Sequence, residues 1–278
     1  MSVAKKYKVE KLSDMRPISL EEHRLIQLQI LCTVAEFCEK RGIRYYLSDG
    51  TLIGAIRHKG FIPWDDDIDI EMPRPDYNRF KEEFYNQGNL RIVCPGDSDS
   101  RFHNAKVIRT DTIKIEEGIN YRGDYLGVDI DVFMVDGCPN DQKEYEKLRN
   151  HIFKLYNIYA QIKCGLAGSY KHRAKIILLR MIYGAPDKII SHAMALCEKY
   201  NFDNSQYIAR YGRFSLGFRV PSTCYSDYIY KEFEGYKFRV PIGYDTVLKA
   251  QFGDYMTLPP IEKQITHHSN KVYWKNSR

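Results

Sequence analysis

Four carboxylates crowd into five consecutive positions of the segment Trp64-Asp65-Asp66-Asp67-Ile68-Asp69-Ile70. From Asp67 to Met72 acid and apolar residues alternate strictly, with Asp67, Asp69 and Glu71 on one side and Ile68, Ile70 and Met72 on the other. A period of two predicts a β-strand whose successive side chains face opposite ways. An acidic run is ordinarily a solvated charged face. Here the apolar partners call for burial of one side, so the acids must gather on the other. Carboxylates that close repel one another unless a divalent cation lies between them, and a metal site is the better reading. A second alternating run, Val128 to Met134, sets Asp129, Asp131 and Phe133 on one face and Ile130, Val132 and Met134 on the other. Asp131, between two β-branched residues on a strand fit for burial, would be costly as an isolated charge.

The remaining segments read as an α/β (α+β) chain. Ser19-Leu20-Glu21-Glu22 is a capping-box pattern that opens a helix stopped at Gly42. Ile43 to Leu47 alternates as a strand and ends at Asp49-Gly50, after which Thr51 to Ile56 predicts a short helix. Pro73 and Pro75 end the acidic strand, and a helix is expected over 76–87. Strand-like segments follow near 90–94, 103–109 and 112–116. After Pro139 the pattern turns helical, over 140–163, 171–183 and 186–200, and 206–278 reads as short strands and turns. This divides the chain into a polar arm (1–18), a core bearing the acids (19–136) and a C-terminal portion, mostly helical, that completes the substrate site (137–278).

Composition excludes several classes. Among 278 residues, 44% hydrophobic and 28% charged content is that of a folded globular chain. The net charge of +6 suits anionic or phosphate-bearing partners but is not drawn into a basic stripe, so nucleic acid is not expected as a partner. Seven cysteines without a C-x-x-C pair predict a reducing compartment. The N-terminal residues hold no apolar run, and the strongly apolar stretch from Ile176 to Leu179 stops at Arg180. Neither export nor a membrane span is expected, which points to a cytoplasmic protein.

A D-x-D strand, a glycine turn that opens a helix upstream of it and a later strand with an acid between apolar residues form the signature of the nucleotidyltransferase fold. The continuous stretch from Ser48 to Ile70 is more specific. It closely resembles the LicD family of phosphocholine transferases, as do Lys106, the block Gly127 to Asp136, Phe233-Glu234-Gly235, and Phe252 to Pro260. The resemblance spans about residues 20–270 and implies a nucleotidyltransferase-like mixed sheet flanked by helices. It also implies transfer of phosphocholine from CDP-choline to a sugar hydroxyl of a surface glycan, teichoic acid or lipopolysaccharide precursor. A second reading keeps the chemistry and changes the cargo to another CDP- or CMP-activated group, such as ribitol or glycerol phosphate or an aminoalkyl phosphonate. A third is a non-catalytic glycan- or nucleotide-binding relative, against which the three intact acids speak. Gly-Thr stands here where simpler nucleotidyltransferases have Gly-Ser, and the loop from Gly50 to Asp67 is long enough to belong to the substrate site.

On this reading Asp67, Asp69 and Asp131 are metal ligands, for Mg²⁺ by default because all-oxygen ligation suits a hard cation, with Mn²⁺ as a substitute. One of them, or Asp65, accepts the proton of the attacking hydroxyl. Asp129 and Asp66 read as structural. Gly50 and Thr51 are expected to meet the nucleotide phosphates at a helix start, though Asp-Gly also makes a plain turn. Arg57, His58 and Lys106 are assigned to phosphate contact and His268 to the donor or acceptor pocket, each with an ordinary surface or sheet-edge role as the alternative. Choline calls for aromatic faces. Trp64 and Tyr46 are the first candidates, with Tyr121, Tyr125, Tyr211 and Phe214 behind them. The segment Lys171 to Tyr183 mixes basic and bulky apolar residues. It reads either as a helix docked on the core with snorkelling cations or as a peripheral contact with the inner membrane face, near a lipid-linked acceptor.

Overall fold

The computed structural model describes residues 15–85, 87–98, 100–116, 127–164, 169–212, 217–265 and 270–275. Tyr121, Tyr125, Phe214 and His268 lie outside the described residues. Helix α1 (Leu20–Arg41) starts where Ser19 Oγ accepts the N–H of Glu22 at 3.1 Å and stops at Gly42, whose φ of 64° closes a left-handed cap. The expected capping box is half made, because the Glu22 carboxylate turns outward to Arg16 and to the Trp274 indole. There follow β1 (Tyr46–Leu47), α2 (Asp49–Arg57), β2 (Asp69–Pro73), α3 (Arg74–Glu83), β3 (Leu90–Val93), β4 (Ala105–Arg109), β5 (Thr112–Glu116) and β6 (Asp129–Cys138). Three helices come next, α4 (Gln142–Cys164), α5 (Tyr170–Tyr183) and α6 (Pro186–Cys197). The chain then returns to β7 (Tyr207–Arg210), β8 (Phe218–Pro221), the hairpin β9 (Tyr228–Phe233) and β10 (Tyr236–Pro241), α7 (Tyr244–Phe252) and β11 (Asn270–Trp274).

Among the described residues the main sheet runs β1-β2-β6-β4-β3, and β7 and β8 extend it from the far end of β6. The β2–β6 pair is parallel and its other neighbours are antiparallel. One face, carrying Ile70 and Met72 of β2 and Ile130, Val132 and Met134 of β6, is buried with Ile30, Leu31 and Val34 of α1 and Phe80 of α3. The alternation read in the sequence thus sorts the sheet, and the acids take the opposite face. A second core joins α4 and α6 to the end of β6 and to β7, and a third lies beneath α7 and β8.

Several boundaries differ from the sequence reading. β2 begins at Asp69 rather than Asp67, because the ladder to β6 opens with Asp131 N–H donating to Ile68 O at 2.9 Å. Before that point the chain is held by Arg24 of α1, which donates to the carbonyls of Ile62, Pro63 and Asp65. α3 begins at Arg74, with Pro75 inside its first turn, where the missing N–H costs nothing. Tyr244–Phe252, expected as strand or turn, is a helix with Val247 and Leu248 buried. The strands expected after residue 206 are present, and β7, β8 and β11 complete sheets begun in the first half.

Candidate active site

The site forms where the two acid-bearing strands lie side by side. In the parallel register Asp69 of β2 stands opposite Asp131 of β6, and Lys106 of β4 stands opposite Asp131 on its other flank. Side chains directly opposite share a face, so the sheet itself brings these three groups together. Asp67, one turn of backbone upstream in the approach loop, is half-buried, as are Asp65 and Asp131, while Asp69 lies deeper. Burial, followed by the charges of Asp67, Asp49, Asp131 and Asp65, holds the Asp69 carboxyl well above the usual carboxylate range. Four further acids are thus near enough to act on the charge of Asp69.

The glycine-opened helix supports that point from one side. Thr51 Oγ1 accepts the N–H of Asp69 at 2.9 Å and the N–H of Ser48 donates to Asp69 O at 3.0 Å, which fixes the start of β2 against the start of α2. A Cβ on Gly50 would collide with the Asp65 carboxylate, and one on Gly54 with the carbonyl of Gly60. Gly54 is thus required by close approach of backbone, whereas a side chain at Gly50 would displace the Asp65 carboxylate. The Asp66 N–H donates to Asp65 Oδ1 at 3.2 Å, and Asp66 is itself buried.

On the β4 side, Lys106 is buried with its Nζ 2.5 Å from Asp129 Oδ2 and 2.6 Å from Asp131 Oδ1. Lys114 reaches Asp129 Oδ1 at 2.7 Å, and Asn104 Nδ2 donates to Asp131 Oδ1 at 2.6 Å. Burial opposes the charges of both Lys106 and Asp129. Their mutual attraction outweighs it, raising the lysine and holding the Asp129 carboxyl below the usual range. Asp129 is thus bound between two lysines, as a structural acid would be.

The most extensive network was not legible in the sequence. Arg210 of β7 clamps Asp49 at two points, 2.5 and 2.6 Å, and lies 3.6 Å from Glu71 Oε2, with its guanidinium over the Phe133 ring. Gln251 of α7 donates to Asp49, and the Tyr225 hydroxyl donates to Glu71. Burial pushes the Glu71 carboxyl up to about 7, against the lowering by Arg210 and by the Tyr225 hydrogen bond. Asp49 adopts a left-handed φ of 47°, unusual for a residue with a Cβ, and Arg210 and Gln251 hold it there. The sequence offered Asp49-Gly50 only as a turn; Arg210, far along the chain between ordinary residues, carried no local signal.

The remaining predicted residues have other surroundings in the structure. Arg57 ends α2, donating to the Tyr255 carbonyl at 2.6 Å, and burial lowers its pKa. Burial and then the Arg57 charge also lower the pKa of His58, which meets the Trp64 ring edge-on at 6.4 Å. Tyr46 does not offer an open face for choline: it is fully buried, edge-on to Tyr225 at 5.3 Å. Tyr211 is likewise buried, beside Tyr145. Trp64 is the remaining described candidate and is half-buried against the core.

As the side chains stand, no three carboxylate, histidine or cysteine groups among the described residues draw together closely enough to hold an ion. By chemistry alone the set is of the all-oxygen kind a hard divalent cation takes, with Asp131 already paired to Lys106. Its groups are all carboxylates, and the buried Asp69 is surrounded by acids whose repulsion an added positive charge would offset.

Comparison with known proteins decides the family. The chain is 33% identical over 271 residues to the lipopolysaccharide cholinephosphotransferase LicD of Haemophilus influenzae, covering 93% of this chain and 99% of that one. The chain belongs to the LicD family. The family model for LicD/FKTN/FKRP, nucleotidyltransferase domain, matches residues 42–160, the part that holds β1 to most of α4 and every acid of the candidate site. More remote similarity reaches the human ribitol 5-phosphate transferase FKRP, 53% identical over 32 residues, or 12% of this chain and 6% of that one. An uncharacterised protein of Rickettsia typhi is 39% identical over 62 residues, 22% of this chain and 20% of its own. As a LicD-family member the chain is a transferase of mixed α/β architecture.

Proposed function

We propose that this LicD-family transferase moves phosphocholine from CDP-choline to a sugar hydroxyl of a cell-surface glycan, teichoic acid or lipopolysaccharide precursor and releases CMP. The observation that carries the reading is similarity along nearly the whole length of a lipopolysaccharide cholinephosphotransferase, with the carboxylates on adjoining parallel strands. Asp67, Asp69 and Asp131 would hold Mg²⁺ or Mn²⁺. Such an ion, when bound, supplies neutralisation of the diphosphate charge.

The chain's own residues do the rest. The acceptor oxygen forms a bond to the phosphocholine phosphorus as the phosphorus–oxygen bond to CMP breaks, and the hydroxyl proton passes to a carboxylate. Asp65 suits that role because it is half-buried beside Gly50, at the start of the helix that faces the nucleotide phosphates. Arg57, next to His58 in the same loop, is the group to stabilise charge on the departing CMP. Lys106 acts by holding Asp131 in place between the strands. Trp64 offers its ring to the quaternary ammonium.

A second reading, transfer of ribitol phosphate from CDP-ribitol, draws on the short match to FKRP. The test is CMP release by purified protein with acceptor and Mg²⁺, given CDP-choline, CDP-ribitol or CDP-glycerol in turn. Preference for CDP-choline supports the first reading and preference for CDP-ribitol the second. Asp69→Asn is expected to lower turnover at least about a hundredfold, a typical size for losing one charge-stabilising group. Wild-type turnover in that variant would refute the assigned role of the acid.

A further inference from the structure

Helix α5 presents an apolar face to solvent, on the side away from the core. Only Ile176 of the helix is fully buried, and Leu179 and Tyr183 are partly buried against the α4–α6 core. At 3.6 residues per turn these three share one side of the helix. Tyr170, Ala174, Ile177, Leu178 and Met181 recur at helical spacing on the opposite side, with Ile182 at its border. Ile177 and Leu178 are about half exposed, Ile182 is 63% exposed, Met181 78% and Tyr170 86%. Apolar side chains that large, contiguous and turned to water on one helix mark an interaction surface.

Cations border that stripe on both sides. The wheel sets Lys171 and Lys175 along one edge and Arg173 and Arg180 along the other, all exposed, and α5 contains no acid. Had the helix been docked with its long basic side chains snorkelling off a buried stripe, the bulky apolar residues would face inward; five of them are exposed. A protein partner would have to supply acids on both flanks of an apolar groove. An anionic bilayer supplies both features at once, because acyl chains take the apolar side chains while phosphate head groups surround them at the depth of the lysines and arginines.

We propose that α5 is a membrane-surface helix that seats the protein on anionic lipid, with Tyr170, Ile177, Leu178, Met181 and Ile182 entering the head-group boundary. Among the described residues no helix is long and apolar enough to cross a bilayer, so this contact is peripheral. It does not depend on which donor or acceptor the site takes.

The test is flotation of the full chain with vesicles of phosphatidylcholine alone and of phosphatidylcholine mixed with phosphatidylglycerol. Wild-type protein is expected to float with the anionic vesicles, at least about tenfold more strongly than with neutral ones, and to be released by molar salt. The double variant Ile177→Ser with Met181→Ser is expected to lose anionic-vesicle binding about tenfold or more. Its thermal midpoint should stay unchanged, because both side chains already face water. Lys171→Glu with Lys175→Glu should abolish the preference for anionic lipid. Absence of flotation, or equal flotation of all variants, would overturn the proposal. So would a concentration-dependent dimer that the serine variant dissolves without any vesicle binding by the wild type, because a second copy would then cover the face.

Discussion

Replacing Arg210 by methionine removes the cation that two buried acids share while keeping much of the side chain's volume over Phe133 and Phe218. The guanidinium is almost wholly buried, as are Asp49 and Glu71. At the 3.6 Å separation from Glu71 and an effective dielectric of about 20, Coulomb attraction to the ionised carboxylate is about 5 kcal/mol, of which about half applies at neutral pH because the Glu71 carboxyl is pushed up to about 7. The bidentate contact with Asp49 is shorter still. Breaking a buried pair from one side leaves the other charge uncompensated, and the expected net loss is about 3–5 kcal/mol. With an unfolding entropy of about 2.1 cal/mol/K per residue, that loss lowers the melting temperature of this chain by roughly 5–9 °C. Calorimetry or urea unfolding at neutral pH measures it. The double variant Arg210→Met with Asp49→Asn should recover part of the loss, because an amide tolerates burial without a counter-ion, and a double-mutant cycle should give a coupling of at least about 2 kcal/mol. A loss below about 1 kcal/mol in the single variant, or strict additivity in the cycle, would show that the clamp does not hold Asp49 as described.

Asp69→Asn, expected to suppress turnover, should at the same time raise the melting temperature of the metal-free protein, since it removes a buried acid on whose charge four others act; a fall would contradict the repulsion. In the wild type, Mg²⁺ should raise the melting temperature by mass action, about 2.7 kcal/mol of stabilisation at a hundred times its dissociation constant, and the shift should be absent in Asp69→Asn. His23, buried with its pKa lowered from 6.5 to about 4 by burial and then by Lys114, binds its proton more readily unfolded than folded. The stability it affects is therefore intact above pH 6.5 and falls as pH drops towards 4, by about 3 kcal/mol in full. In His23→Leu, that part of the acid limb of the pH–stability curve should flatten, and an unchanged curve would remove His23 as its cause. Gly50→Ala should disturb the Asp65 loop and lower turnover about tenfold or more while costing little global stability; full activity would mean that the loop yields without consequence.

Much of this arrangement was legible because strand periodicity and chemistry coincide. Ile130, Val132 and Met134 fill the core, so Asp131 must face the other way, and the same rule places Asp69 against Ile70. Helices α1, α4, α5 and α6 carried their own caps, breaks and spacing. The limits of β2 were not legible, because alternation continues through Asp67 although the hydrogen-bond ladder does not. Helix α7 escaped because Val247 and Leu248, its buried residues, are adjacent and trace no helical period. The Arg210 clamp lay beyond reach for a deeper reason. It joins positions 161 residues apart, and nothing near either end registers the charge at the other. Tyr46 illustrates the converse: its composition suited an aromatic cage, and only three-dimensional packing shows the ring closed in by Tyr225.

Strand β6 runs unbroken from Asp129 to Cys138, with Asp131 opposite β2 and Asp136 held by Arg74 of α3 at 2.6 and 2.8 Å. One girder thus spans both the chemistry and the join to the helical layer. A hinge between the sheet and the helical layer would have to part Arg74 from Asp136 at this strand. Variants that loosen the strand at Asp136 should therefore be felt at Asp131, five residues away.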